Sequence, residues 1–290
     1  MTKKKLTNKD FVHLHNHTEY SAFDGLNKIS KFPAYAAEMG FKSLAITDHG
    51  NMGGAFKFMK ECKKVNIKPI VGVEFYLSEN RHIHFKNKKD RQGNVLQKGQ
   101  TDGRKGNRHL VLIAKNWTGY KNLCRLSQAS WTEGHAFQDP RIDFDLLEKH
   151  HEGLICSSAC LSSVVNANLL HGRYDQARKA AGMFKDLFGE DFFLEVMYHG
   201  IDAEGMIIPD ILKLSDELNC KCIASNDCFV EGTLIETNRG CIPVEEVQKG
   251  DMVFTNKSRW KKIYATNSRY TDKEEKVYRV KSNMGTLNYE

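Results

Sequence analysis

The sequence lacks any long apolar run: nowhere do apolar residues continue uninterrupted for the ~20 positions that crossing a bilayer requires, so no membrane partner is expected. The stretch Met1-Thr2-Lys3-Lys4-Lys5-Leu6 carries charge with no apolar segment behind it, and a secretory signal is not expected either. There is no internal repeat and no low-complexity tract, which sets aside solenoids and disordered polar arrays. The eight cysteines are scattered rather than paired, and without an export signal they do not suggest a disulfide framework. A cytoplasmic location is the expectation. Cys220-Lys221-Cys222, the closest pair, reads as core packing, because free cysteine is among the most buried residue types.

What is present fits an ordinary globular chain. Its 290 residues are enough for one large domain and a small one, and 40% apolar with 27% charged residues is a common balance. The net charge of +7 suits a polyanionic partner, although the lysines are spread along the chain rather than clustered.

Up to Asp227 short apolar runs alternate with helical patterns. Strands are expected at Phe11–His15, Ser43–Thr47, Pro69–Leu77, His109–Lys115, Gly153–Ser158, Phe192–Val196 and Lys221–Ser225. Helices are expected at Ile29–Met39, Gly54–Val65, Tyr120–Ala129, Asp143–Lys149, Tyr174–Phe188 and Ala203–Leu218. This alternation predicts an α/β fold with a parallel sheet, curled into a barrel, and site residues at the carboxyl ends of its strands. Arg81 to Arg108, rich in Lys, Asn, Gln and Gly, reads as an exposed loop. After Cys228 the pattern changes to strand-like pieces at Thr233–Thr237, Met252–Thr255 and Lys276–Lys281 between turn signals, which predicts a small all-β unit.

Polar residues with metal-ligand chemistry recur at the strand ends. His15-Asn16-His17 follows the first strand, and two imidazoles there reach a common cation once the strand gives way to a loop. Asp24 sits in a loop that can fold back over them, and Asp48-His49 lies at the tip of the second strand. Glu74 follows the apolar run Pro69–Val73, where a buried carboxylate needs a partner. His109 heads the fourth strand, Cys160 follows the fifth, and Asp227 ends the seventh. Each has a plainer reading alone, as a strand-end cap, a core thiol or a turn residue. Their recurrence at strand ends points to a shared site.

His15-x-His17 with Ser21-x-x-Asp24-Gly25, Thr47-Asp48-His49-Gly50, Gly72-Val73-Glu74 and Ser225-Asn226-Asp227 resemble the motifs of the PHP (polymerase and histidinol phosphatase) superfamily. His109 to Asn116, Gly119 to Leu123, Pro140 to Asp143, Glu152 to Ile155 and Phe192 to Val196 are similar to the PHP domain of bacterial DNA polymerase III alpha subunits. The resemblance covers nearly all of residues 10 to 227. It implies a distorted (βα)7 barrel holding up to three divalent metals, among zinc, manganese and iron. His15, His17, Asp24, His49, Glu74, His109, Cys160 and Asp227 would be the ligands, with Glu74 bridging. It also implies metal-dependent 3′→5′ exonuclease chemistry, with DNA, the rest of the alpha subunit and other replisome subunits as partners. No catalytic carboxylate set for nucleotidyl transfer is recognisable in this chain.

The family's last motif reads Asn-Asp, one residue, then His, whereas here Asn226-Asp227 is followed by Cys228 and Phe229. From Cys228 the chain resembles the opening of an intein, through Gly232-Thr233-Leu234-Ile235, Gly240, Ile242 to Val247 and Gly250 to Val253. Cys228 would be the splicing nucleophile, a role that suits a thiol. The organisation expected is therefore a PHP domain over 1–227 and an N-terminal intein fragment over 228–290, whose remainder is a further partner. The later intein motifs, Thr-x-x-His and a terminal His-Asn, do not occur between Cys228 and Glu290, so this chain alone is not expected to splice. Two other readings are a free-standing PHP phosphatase, opposed by the polymerase-like stretch from Gly119 to Pro140, and a non-catalytic scaffold, opposed by the retained ligand residues.

Overall fold

The computed structural model describes residues 11–21, 25, 27–82, 107–136, 139–198, 202–226, 234–243, 246, 248, 250–255, 259–272 and 275–282. In chain order the larger part contains α1 (Phe32–Glu38), β1 (Ser43–Ile46), α2 (Ala55–Lys64), β2 (Lys68–Leu77), β3 (Arg108–Ala114), α3 (Trp117–Thr132), β4 (His135–Ala136) and β5 (Asp139–Ile142). It continues through α4 (Phe144–Lys149), β6 (Leu154–Ser157), α5 (Val164–Leu170), α6 (Tyr174–Phe188), β7 (Phe192–Val196), α7 (Asp202–Glu217) and β8 (Lys221–Ala224).

Local chemistry places the helix starts. The side chains of Asn116, Asp143 and Ser163 each accept a backbone N–H of the first turn, capping α3, α4 and α5. Pro33 opens α1, where its missing N–H costs nothing. The motif Gly119 to Leu123 proves to be a packing device. A Cβ on Gly119 would come within 1.8 Å of the Gly153 carbonyl oxygen, and the Asn122 side-chain amide donates to the Glu152 carbonyl at 2.8 Å. Only glycine lets α3 lie this close to the turn that opens β6.

These strands form one eight-stranded sheet in the order β4-β5-β2-β3-β6-β7-β8, with β1 pairing β2. The first half of β2 is flanked by β1 and its end by β5, both parallel. β6, β7 and β8 are mutually parallel. The expectation of a parallel sheet fails at β3, which runs antiparallel to both β2 and β6. The strand expected at Phe11–His15 also does not form. Only His13 bridges Leu44, and the backbone then leaves the ladder to present the His-x-His pair. The α/β fold is a curled half-barrel sheet with its helices, and among the described residues no ladder joins β8 back to β1.

Alternation along the strands divides two buried faces. Val73, Phe75, Leu110, Leu112, Cys156, Phe192 and Leu194 belong to the main core, together with helix residues such as Phe58, Leu126 and Phe184. Their neighbours Ile70, Val111, Ile113 and Ile155 form a second, smaller apolar cluster with Leu14 and Ala159 on the inner side of the curl. Period two places Glu74, His109, Ser157 and Glu195 on that same inner face. Cys220 packs in the main core, its thiol 3.3 Å from the Phe192 carbonyl oxygen, and burial pushes that thiol up to about 11. A core role fits it.

The second sheet is all antiparallel, in the order β10-β9-β11-β12-β13, from β9 (Leu234–Thr237), β10 (Gly240–Pro243), β11 (Met252–Thr255), β12 (Arg259–Asp272) and β13 (Glu275–Ser282). Its first hairpin is braced by Arg239, which donates to both Asp251 carboxylate oxygens at 2.8 and 2.7 Å. The loop expected from Arg81 to Arg108 lies outside the described residues over 83–106.

Candidate metal centre

Glu74, fully buried on the inner face of β2, has imidazoles on both oxygens. His17 Nε2 lies 2.7 Å, His15 Nε2 3.1 Å and His49 Nδ1 3.3 Å from Oε2, and His109 Nδ1 lies 2.8 Å from Oε1. The Cys160 sulfur is 3.8 Å from Oε1 and 3.4 Å from His109 Nδ1. Separate segments deliver these groups to one point. His15 and His17 come from the segment before α1, just after the His13 bridge to Leu44, His49 from just past β1, and Cys160 from the loop after β6. His109 stands at the start of β3. Because β3 runs antiparallel, its amino end coincides with the carboxyl ends of its neighbours, and a residue heading a strand joins residues that follow others.

Several devices hold the loops. Asp48 accepts from the Thr18 N–H at 2.5 Å, the Thr18 hydroxyl at 2.8 Å and the Ser21 hydroxyl at 3.2 Å, so it ties down the segment after His17. Burial pushes its carboxyl above the ordinary value, against the pull of those hydrogen bonds and of His17. Gly50, at φ 61°, turns the chain after His49 where a Cβ would strike Pro140. The loop after β6 passes through Ala159 at φ 54°, an uncommon conformation for a residue with a side chain. Asn166 on α5 holds this loop by donating to the carbonyls of Ala159 and Cys160, both at 3.1 Å.

Glu195, also buried, is a site residue that the pattern of ligands did not suggest. Its Oε1 lies 2.9 Å from His15 Nδ1 and accepts the Ser225 hydroxyl, while Oε2 accepts the Ser157 hydroxyl. The signal for it was present in Phe192-Phe193-Leu194-Glu195-Val196. A carboxylate inside an apolar strand needs a partner, as Glu74 does.

The structure thus brings together His15, His17, His49, Glu74, His109 and Cys160. Asp24, Asp227 and Cys228 lie outside the described residues. Burial pushes the Glu74 carboxyl up, but the charges of His15, His109 and His49 and the hydrogen bond from His109 outweigh it. They hold the carboxyl well below the usual carboxylate range. Two groups of donors share Glu74, one with His15 and His17 and the other with His49 and His109, each with its ligand atoms within 4.8 Å of one another. Imidazoles, a carboxylate and a nearby thiol are a donor set that fits borderline divalent cations such as zinc, iron and manganese.

Residues 13–199 match the family model of the PHP domain. The chain belongs to the PHP family. Residues 227–283 match a second model, the Hint domain. The PHP part is similar to DNA polymerase III subunit alpha of Campylobacter jejuni, 44% identical over 227 residues, and of Borreliella burgdorferi, 42% identical over 217 residues. In each case the match takes in 75% of this chain and 18% of the relative, so the PHP chain spans about a fifth of the relatives' length. Among solved structures, an amidohydrolase from Chromobacterium violaceum shares 15% identity at a TM-score of 0.42, over 74% of this chain and 86% of that one.

Proposed function

We propose that this chain is the N-terminal part of a bacterial-type DNA polymerase III alpha subunit. Its PHP domain, residues 1–227, hydrolyses phosphodiesters from DNA 3′ ends with divalent metals. Residues 228–290 are the N-terminal part of an intein interrupting it. The observation that carries the reading is the sharing of one buried carboxylate, Glu74, between two sets of imidazoles.

His15, His17, His49, Glu74, His109 and Cys160 would hold up to three cations, with Asp24 and Asp227 as further ligands and Glu74 as the bridge. When bound, such cations supply charge stabilisation for displacement at phosphorus and an activated water; zinc, manganese and iron all suit these donors. The protein's own contribution is a preorganised donor cluster on the inner face of the sheet, shielded from water and held by Asp48, Asn166 and Glu195. The partners are DNA, the remainder of the alpha subunit and of the intein, and other replisome subunits, in the cytoplasm.

At the junction, the Cys228 sulfur attacks the Asp227 carbonyl carbon. The C–S bond forms as the Asp227–Cys228 peptide C–N bond breaks, and the thiol proton ends on the freed Cys228 amine. The intein separates Asp227 from the His that the family places two residues later, since Phe229 occupies that position here. The site is then completed by the segment joined on after excision.

The test is degradation of a 5′-labelled single-stranded oligonucleotide by this chain and by the spliced product, at matched manganese or zinc. Stepwise shortening from the 3′ end is expected, stronger in the spliced product. Absence of metal-dependent shortening from both overturns the exonuclease reading, and equal activity overturns the split-site reading.

A further inference from the structure

The carboxylate of Glu195 has a role that the cluster around Glu74 does not explain. It is 1% exposed, sits on the inner face of β7, and joins three segments of the sheet. The hydroxyls of Ser157 at the end of β6 and Ser225 just past β8 donate to it, and His15, from the segment before α1, sets its Nδ1 against it. A carboxylate offers only acceptors, so His15 Nδ1 must carry the proton in this contact, at 2.9 Å. That assignment fixes the ring. With Nδ1–H committed to Glu195, His15 Nε2 is the nitrogen turned to Glu74, 3.1 Å from its Oε2.

We propose that Glu195 is the positioning residue of the metal centre: it fixes the tautomer and orientation of His15 and, through Ser225, fastens the end of β8 to that imidazole. The inference rests on the metal-binding reading above. An acceptor behind a ligating imidazole raises the basicity of the ring and stops it rotating, and loss of such a partner costs about 10- to 100-fold in metal affinity. Glu195 is suited to this because its own orientation is fixed by the two hydroxyls, so the imidazole is held by a group that cannot itself turn. Ser225 adds a consequence for the uninterrupted protein. It lies two positions before Asp227, so the strand leading to the split ligand pair is already fastened to His15 before any splicing. The cluster of described ligands is therefore preorganised, and splicing adds a ligand to it rather than assembling it.

The experiment uses the full 290-residue chain, its Glu195→Gln variant, and calorimetric titration with Mn2+ and Zn2+ separately. Glutamine keeps the volume but removes the charge and one acceptor. The expected result is affinity weakened by about 10-fold or more, with the metal-free melting temperature moved by only a few degrees. The second readout is the His15 Nδ1–H resonance in protein labelled with 15N-histidine. In the parent it is expected to be downfield and slow to exchange, with or without metal, and in the variant to exchange fast. Unchanged affinity and an unchanged His15 ring N–H overturn the proposal. Lowered thermal stability with parental affinity and parental ring signal shows a merely structural residue and overturns it too. Where Glu195→Gln does not fold, Ser157→Ala and Ser225→Ala each leave the carboxylate in place. Both are expected to weaken affinity and speed exchange of the ring N–H, and parental values in both overturn the proposal. Failure of the parent chain to bind either metal rejects the metal-binding reading instead, and the ring N–H still decides the His15–Glu195 contact.

Discussion

His49 and Glu74 are register partners. They form an isolated parallel bridge beyond the end of β1, and this sets His49 Nδ1 3.3 Å from Glu74 Oε2. The pairing of β1 with β2 thus does more than build the sheet, because its register carries a histidine to the carboxylate that the other imidazoles also reach. Glu74→Ala leaves those rings buried against one another without the carboxylate they share. Removing one partner of a buried charged pair costs about 3–5 kcal/mol, and a loss of that order is expected in chemical denaturation of the metal-free protein. Metal analysis of the same variant is expected to find far less bound cation than in the parent. Parental metal content would show that Glu74 is not shared between the ions.

Chelation gives a second prediction. A ligand present at 100 times its dissociation constant stabilises the folded state by about 2.7 kcal/mol. Thermal unfolding with excess Mn2+ or Zn2+ is expected to occur several degrees above that in a chelator. The added stability should disappear in His17→Ala, whose ring lies 2.7 Å from Glu74. A chelator that leaves the melting temperature unchanged counts against a metal in this cluster.

Asp143 supplies a pH dependence outside the cluster around Glu74. Its side chain caps α4 by accepting the Leu146 N–H at 3.1 Å, and it pairs with Arg81 through Nη1 at 2.7 Å and the Arg81 N–H at 3.0 Å. Burial pushes its carboxyl up, but the two backbone N–H groups and the guanidinium outweigh it and hold the carboxyl below its ordinary value. A depressed carboxylate contributes stability that is present above the unfolded-state value, about 3.9 for Asp, and is lost as pH falls through the folded value. Asp143→Asn is therefore expected to be less stable by about 1–2 kcal/mol at neutral pH. The gap to the parent should narrow in acid below about pH 4. A gap that stays constant down to pH 3 would rule out the charge as its source.

Much of this was legible in the residues, and the gaps have physical reasons. Tyr174–Phe188 reads as a helix because its apolar positions keep a strict period, and the structure has α6 over the same residues. Val164–Leu170 has no polar face to show a period, so α5 was missed, although Ser163 is an N-cap signal. The hairpin of β4 and β5 is too short for alternation to register. Strand direction leaves no trace in a run such as His109 to Ala114. The antiparallel course of β3 therefore has no signature in the residues, and His109 at a strand's start reads there as one more strand-end ligand. The inner-facing residues were found wherever a motif named them. Glu195 was missed because its partners, His15, Ser157 and Ser225, are brought together only by the sheet.

The motif residue Gly119 tests whether family-like sequence here reflects packing. With a Cβ 1.8 Å from the Gly153 carbonyl oxygen, Gly119→Ala forces α3 away from the turn before β6. Backbone opposes that Cβ, so no side chain can yield. Overpacking of this kind costs about 1–3 kcal/mol, and that loss of stability is expected. Metal affinity of the folded fraction should stay at the parental value, because neither α3 nor the Gly153 turn supplies a group to the cluster around Glu74. A drop in affinity without a drop in stability would instead place this motif in the site's chemistry.

The junction makes the final prediction. If Cys228 is the splicing nucleophile, the acyl group of Asp227 resides transiently on its sulfur, and an added nucleophile can intercept it there. Hydroxylamine attacks the thioester carbon, forms a hydroxamate on Asp227 and releases the Cys228 thiol. Mass spectrometry of this chain after prolonged incubation is then expected to find two fragments separated between Asp227 and Cys228, the first carrying the hydroxamate. Cys228→Ala has no sulfur to accept the acyl group and is expected to stay intact under the same conditions. The cut should be slow, because no Thr-x-x-His motif, which would activate the scissile amide, occurs between Cys228 and Glu290. Cleavage at equal rates in both proteins would mean that the peptide bond is labile for another reason. An intact parent under conditions that cleave a control thioester would deny Cys228 the role of nucleophile in this chain.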